Sequence, residues 1–249
     1  MILAINQLHI AERLAMTQLQ ITTPQLIGVI GPNGSGKSTL LAALAGLLPL
    51  PNGSVQFKQH DLSQLSAGQR RQLISYLPQA ATVTTAVTVA QVLQQGLVNL
   101  RLPRSAEELL AAVADEFHLS ALWSRPITEL SGGEQRRVQV ARACLGAAEM
   151  GLFDEPCSGL DIGYQLELMD YLKARSQRGQ LVVVALHDLA LAAQYCDRLV
   201  LLHEGQVAAF GSPAEVLTDA RLAAIFGIAA TWLCNDDGVA LLAKRLPVN

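Results

Sequence analysis

The chain is short of aromatic residues, at 4%, and of charged ones, at 16%. Its formal net charge is −3 and no stretch gathers lysines and arginines, so a surface built to hold a nucleic-acid backbone is not expected. No apolar run reaches the roughly 18 to 20 residues that cross a bilayer as a helix. The opening MILAINQLHI has neither a basic leader region nor a small-residue cleavage site, which points to a cytosolic protein. Cysteine is scarce and scattered: Cys144, Cys157, Cys196 and Cys234. His187 and His203 lie near Cys196, but their spacings match no metal motif. Reduced thiols are expected. The chain also lacks internal repeats, charge runs and low-complexity linkers.

What is present is apolar. A 51% hydrophobic content over 249 residues can bury one core, or one core with an inserted subdomain. LIGVI (26–30) ends at Gly31 and reads as a buried strand. STLLAALAGLL has helical composition and runs to Pro49. SVQF (54–57), after the turn signal PNG, reads as an edge strand. Between 80 and 130 the pattern turns helical, with TVAQVLQQGL and SAEELLAAVADEFHL, the second capped by Ser105. A helix over EQRRVQVARACLGAA, a strand MGLF, a helix from 162 to 178 and a strand LVVVAL follow. Strands alternating with helices predict a parallel sheet in an α/β domain. RLVLLHEGQVAAFG predicts a hairpin turning at Glu204-Gly205. SPAEVLTDARLAAIFG predicts one capped helix, and TWLCNDDGVALLA a hairpin across Asp236-Asp237-Gly238.

GPNGSGKS (31–38) matches G-x-x-x-x-G-K-[ST] between a predicted strand and a predicted helix. Glycines let backbone N–H groups approach a polyphosphate, and the helix N-terminus adds partial positive charge. Gly31, Pro32, Asn33, Gly34, Ser35 and Gly36 would form the cradle. Lys37 would reach the outer phosphates, Ser38 would ligate Mg²⁺, and Thr39 would touch the α-phosphate. The motif predicts binding of a nucleoside triphosphate. GLFDEP (151–156) ends a strand with two carboxylates: Asp154 for the Mg²⁺ shell, Glu155 to polarise an attacking water. His187 ends LVVVALHD at a strand's carboxyl edge, where ligands sit in open α/β sheets. There it could bond the γ-phosphate and hold the water against Glu155.

LSGGEQRR (130–137) looks like a second anion cradle, with two glycines opening a helix after a serine. With GPNGSGKST, YLPQ (76–79), LFDEP, SGLD (158–161) and His187 it completes a series. The series resembles the nucleotide-binding subunits of ABC transporters across almost the whole chain. The resemblance implies a P-loop NTPase core with a mostly parallel sheet, N-terminal antiparallel strands and an inserted helical subdomain (80–130) within one domain (1–249). It implies a homodimer in which each ATP lies between one subunit's P-loop and the other's signature. Ser131, Gly132, Gly133 and Glu134 would serve the partner's nucleotide. Gln79 would be the Q-loop residue, sensing Mg²⁺ and water, and Asp161 would cross the dimer interface. Residues 80 to 96 would border the groove for a membrane subunit.

Two features depart from the family. No aromatic stands upstream of the P-loop to stack on adenine, and Cys157 stands where threonine is commoner. The tail resembles the ATPases of importers for metal chelates: siderophore iron, haem and cobalamin. The short non-aromatic N-terminal segment is similar to that of cobalamin (vitamin B12) importers, which makes cobalamin the expected cargo and an iron-siderophore or haem chelate the alternative. Two permease subunits and a periplasmic binding protein would be the partners, at the cytoplasmic face of the inner membrane. A soluble ABC ATPase, such as that of iron–sulfur assembly, and a binding-only regulatory subunit are the competing classes.

Overall fold

The computed structural model describes residues 1–50, 52–80, 85–98, 105–235 and 238–246, without the side chains of Met16 and Cys234. The chain opens with strands β1 (Leu3–Ile10), β2 (Leu14–Ile21) and β3 (Leu26–Ile30), then helix α1 (Lys37–Leu44), β4 (Asn52–Phe57) and β5 (His60–Asp61). Helix α2 (Ala67–Leu73), β6 (Ile74–Leu77), α3 (Val89–Gly96), α4 (Ala106–Glu116) and α5 (Gly132–Ala143) follow. The second half holds β7 (Met150–Asp154), α6 (Ile162–Gln177), β8 (Leu181–Ala185), α7 (Leu189–Tyr195), β9 (Arg198–His203) and β10 (Gln206–Gly211). It ends with α8 (Pro213–Val216), α9 (Asp219–Arg221), β11 (Ile228–Asn235) and β12 (Gly238–Arg245).

Six strands form the central sheet in the order β10-β9-β3-β8-β7-β6. All neighbours are parallel except β10, which turns back antiparallel on β9 through the predicted hairpin. Alternation along β3 divides the core. Leu26 and Ile30 face a layer from α3 to α7, while Ile27 and Val29 face α1 and an antiparallel sheet, β2-β1-β4-β5. β3, β7 and β8 are buried along their whole length, as strands covered on both faces must be.

Three details differ from the sequence expectations. α1 stops at Leu44, five residues before Pro49, because Gly46 takes φ +67 and its N–H closes on Ala43 O at 2.9 Å. β4 is not an edge, since Lys58 at φ +54 turns the chain so that β5 covers it. The expected single helix over 212–227 is broken. Ser212 caps α8 in a capping box with Glu215, Leu217 leaves helical geometry, and Thr218 caps a second start. A π-helical turn, Leu222–Phe226, then ends at Gly227. Leu217 is buried and Thr218 is a good N-cap, so local capping wins over continuous periodicity. The last hairpin pairs through Asn235 and Gly238; its predicted turn residues Asp236 and Asp237 lie outside the described residues.

Gly28 sets how closely β3 packs. A Cβ there would lie 2.7 Å from Leu199 Cδ2 and 2.8 Å from Cys196 Sγ, both buried. Gly28→Val should destabilise the fold by about 1–3 kcal/mol. At this chain length the melting temperature falls by about 2–4 °C per kcal/mol. Calorimetry checks this; an unchanged melting temperature would mean that α7 and β9 yield freely.

Candidate functional site

The loop from Gly31 to Gly36 is folded by close approaches that admit no side chain. A Cβ on Gly31 would meet Leu202 O at 2.2 Å. Gly36 takes φ +102, and a Cβ there would meet Leu14 Cδ2 at 2.8 Å and Arg13 O at 2.9 Å. The turn between β1 and β2 therefore sits directly against the loop. Gly205 N–H donates to Ser35 O at 3.2 Å and fastens the β9–β10 turn to it. Pro32 accepts from Ser35 N–H, while Asn33 and Gly34 are exposed. Lys37 is only 5% exposed, and its Nζ donates to Gly31 O at 2.8 Å and Pro32 O at 3.1 Å. Burial lowers its pKa, and the Glu155 and Asp154 carboxylates partly restore it. Ser38 and Thr39, half-buried, lie in the first turn of α1.

The ends of β6, β7 and β8 bring the expected acids and histidine to the same edge of the sheet. Asp154 is 1% exposed, and burial raises its carboxyl above the usual range. The Glu155 charge adds to the rise, while the Ser38 hydroxyl donating to it, Arg136 and Lys37 oppose it. Glu155 occupies the left-handed region at φ +50, a conformation costing about 1–3 kcal/mol that surrounding contacts must hold. Its N–H donates to Ala185 O at 3.2 Å, and its Oε1 lies 2.5 Å from His187 Nε2. Gln79, just past β6, is exposed.

Arg136, which the sequence reading did not single out, ties these loops together. From α5 its Nη2 donates to the carbonyls of Asp154 and Glu155, each at 2.7 Å. Its Nη1 reaches Pro78 O at 3.3 Å and Gln79 O at 3.2 Å, and its Nε reaches Pro156 O at 3.3 Å. The one signal was a paired arginine on a helix in a chain with little charge. Neighbouring Arg137 points elsewhere, with Nη1 donating to Tyr164 Oη at 2.8 Å and its guanidinium over that ring.

The second predicted cradle stands apart. Ser131 caps α5 with a reciprocal box: its Oγ accepts from Glu134 N–H, and its own N–H donates to Glu134 Oε2 at 2.8 Å. The Ser131 backbone bond, then its hydroxyl, lowers the pKa of the exposed Glu134 carboxyl. Gly132 and Gly133 open the helix. Asp161, exposed, caps α6 by accepting from Tyr164 N–H at 3.1 Å. Among the described residues no hydrogen bond joins residues 131–134, or Asp161, to the loop 31–39. Cys157 is buried beside Arg136, and its thiol is pushed up to about 12, an inert side chain.

The site fits a magnesium nucleotide. Ser35 Oγ and Asp154 Oδ1 are buried without a hydrogen-bond partner, which buried polar atoms rarely are. Ser38 hydroxyl and Asp154 carboxylate are hard oxygen donors already in contact, the type Mg²⁺ takes in small number when phosphates supply the rest. Among the described residues no cluster of three or more histidines, cysteines or acids could hold a metal by itself. Since burial raises the Asp154 pKa, the folded state binds that proton more tightly than the unfolded chain. Its ionisation therefore removes stability as pH rises past the ordinary carboxylate range. Asp154→Asn should raise the melting temperature of nucleotide-free protein at pH 7, with the gain gone below about pH 4. An equal or lower melting temperature at pH 7 would mean that Ser38, Arg136 and Lys37 already offset the burial.

Comparison with known proteins identifies the family. Residues 14–158 match the ABC transporter family. The hemin import ATP-binding protein HmuV of Rhodococcus jostii (strain RHA1) is 42% identical over 207 residues, covering 82% of this chain and 70% of its own. HmuV of Pseudomonas entomophila (strain L48) is 41% identical over 231 residues, 88% of each chain. The dimeric ATP-binding cassette MJ0796 bound to ADP and Pi matches with TM-score 0.76 at 25% identity, over 85% of this chain and 98% of that one. A chain from a metal-chelate type ABC transporter, inward-facing, matches with TM-score 0.81 at 23% identity over 98% and 97%, a likeness of fold. The sheet, the P-loop and these relatives place the chain in the ABC transporter family, as an ATPase that binds ATP with Mg²⁺.

Proposed function

We propose that the chain is the ATP-hydrolysing subunit of an importer that carries haem. The reading rests on the HmuV relatives, named for hemin import and matched over most of this chain. It favours haem, the alternative in the sequence analysis, over cobalamin. In this reading residues 31–39 hold the phosphates and Lys37 exchanges its bonds to Gly31 and Pro32 for phosphate oxygens. Ser38, Asp154 and Gln79 face Mg²⁺, which would neutralise charge on the outer phosphates. Glu155 takes a proton from water as the water oxygen bonds the γ-phosphorus; the bond to the bridging oxygen breaks, giving ADP and phosphate. His187, 2.5 Å from Glu155, orients that carboxylate and the water.

A second copy completes the site by bringing its Ser131, Gly132, Gly133 and Glu134 to this ATP, with Asp161 at the seam. The helix α5 aims its N-terminus there. Among the described residues no helix is long and apolar enough to cross a membrane, and the pathway is assigned to two permease subunits. Residues 1–249 form one nucleotide-binding domain in this reading, with 80–130 as its helical subdomain; 81–84 and 99–104 lie outside the described residues. A periplasmic binding protein supplies the cargo, and the chain works at the cytoplasmic face of the inner membrane. One observation keeps cobalamin as a second reading: Arg13 and Leu14, not an aromatic, lie against Gly36, as in the short segment similar to cobalamin importers.

Glu155→Gln should retain ATP binding and lose turnover by at least about 100-fold. Steady-state ATPase assays check this, and near wild-type turnover would remove Glu155 as the base. Cells lacking the gene should lose uptake of labelled haem, restored by wild type and not by Glu155→Gln. Haem uptake that persists while labelled cobalamin uptake is lost would move the assignment to cobalamin.

A further inference from the structure

We propose that Arg136 is a positioning residue for hydrolysis, holding the Gln79 and Glu155 loops in one register with the signature helix. The inference rests on Glu155 as the base. One guanidinium bridges carbonyls from two separate segments: Pro78 and Gln79 after β6, and Asp154, Glu155 and Pro156 at the end of β7 and just past it. Its planar fork carries five N–H donors in fixed directions, and three nitrogens share these five carbonyls. The two shortest bonds, at 2.7 Å, fall on the carbonyls at either side of the Glu155 N–H, where the backbone is left-handed.

Two weaker bonds also hold that backbone: Glu155 N–H to Ala185 O at 3.2 Å and Ser158 N–H to Glu155 O at 3.1 Å. Without Arg136, Glu155 can relax toward ordinary φ and its carboxylate leaves the water. Arg136 is also five residues beyond Ser131 on the same helix. Any shift of α5 as Ser131 meets the partner's nucleotide is thereby delivered to this chain's own Gln79 and Glu155. The lever is rigid because Val138, Gln139, Val140 and Ala141 on α5 are buried.

The test compares Arg136→Lys and Arg136→Ala in the full chain. Lysine keeps the charge but concentrates its three donors at one point, so it cannot span both loops. Both variants should keep ATP affinity within about threefold while kcat falls by about 10- to 100-fold, the scale of a misplaced catalytic group. Added guanidinium ion should restore part of the rate of Arg136→Ala and none of Glu155→Gln. A kcat within about twofold of wild type in both variants overturns the proposal. So does a joint fall of kcat, affinity and melting temperature without rescue in both, because that is the signature of a folding residue. If Arg136→Ala does not fold, Arg136→Lys decides alone on the split between kcat and affinity. Glu155→Gln run alongside separates the readings: if it turns over normally, the base assignment fails. If it is inactive and Arg136→Lys is unaffected, only the present inference fails.

Discussion

Two buried charges govern the architecture: Lys37 at 5% exposure and Asp154 at 1%, both at the carboxyl edge of the parallel strands. Among the described residues no ion pair joins either to an opposite charge. Lys37 rests on two loop carbonyls and Asp154 on the Ser38 hydroxyl. Charges that are buried and attract each other only across a gap are expensive, so the rest of the fold has to hold both in place against relaxation. The fully buried strands β3, β7 and β8 provide that rigidity. Glycines at 31 and 36 let the chain come close enough to wrap the space between the charges. The site is thus preorganised for an anion and a divalent cation that would together satisfy what the protein leaves unmet.

The signature segment follows a different logic. Ser131 and Glu134 satisfy each other in a capping box, so α5 has a stable start on its own. The helix N-terminus is nevertheless open at Gly132, where a Cβ would meet nothing within 4 Å, while a Cβ on Gly133 would meet Gly159 O at 3.1 Å. One segment is therefore complete as a helix end and uncommitted as an anion site. This is the arrangement a head-to-tail dimer requires, because each subunit must fold before its partner's nucleotide arrives.

How much of this was legible in the sequence varied with the kind of interaction. The P-loop and the acidic pair could be picked out because their chemistry requires particular residue types at fixed spacing, and His187 because it ends a predicted strand at the sheet's carboxyl edge. The strands 26–30 and 181–185 were legible because burial on both faces leaves a continuous apolar run. The tail helix was misread because Thr218 offers a second cap in a periodic stretch, and periodicity alone does not weigh the two. SVQF was misread as an edge because its cover is a strand of two residues, too short to show a pattern. Arg136 escaped because its partners are backbone carbonyls, which any residue type supplies. Contacts to main chain leave no trace in the identity of the partner.

The resting bonds of the site are the ones a nucleotide would exchange. Lys37 Nζ on Gly31 O and Pro32 O occupies a polar group that the reaction needs, while His187 keeps its bond to Glu155. Were the Lys37 ammonium left bare, burial would penalise the free protein by its desolvation, whereas His187 is exposed. Were that ammonium locked in a strong ion pair, ATP would have to break the pair first. The Lys37 bonds to neutral carbonyls lie between these limits, because a phosphate oxygen gives the ammonium a charged acceptor in place of a neutral one. A binding site that is satisfied but replaceable can close and reopen with each cycle. In the role proposed for it, Arg136 stands outside this exchange, because its five partners are main-chain carbonyls and none is a group that takes a phosphate oxygen.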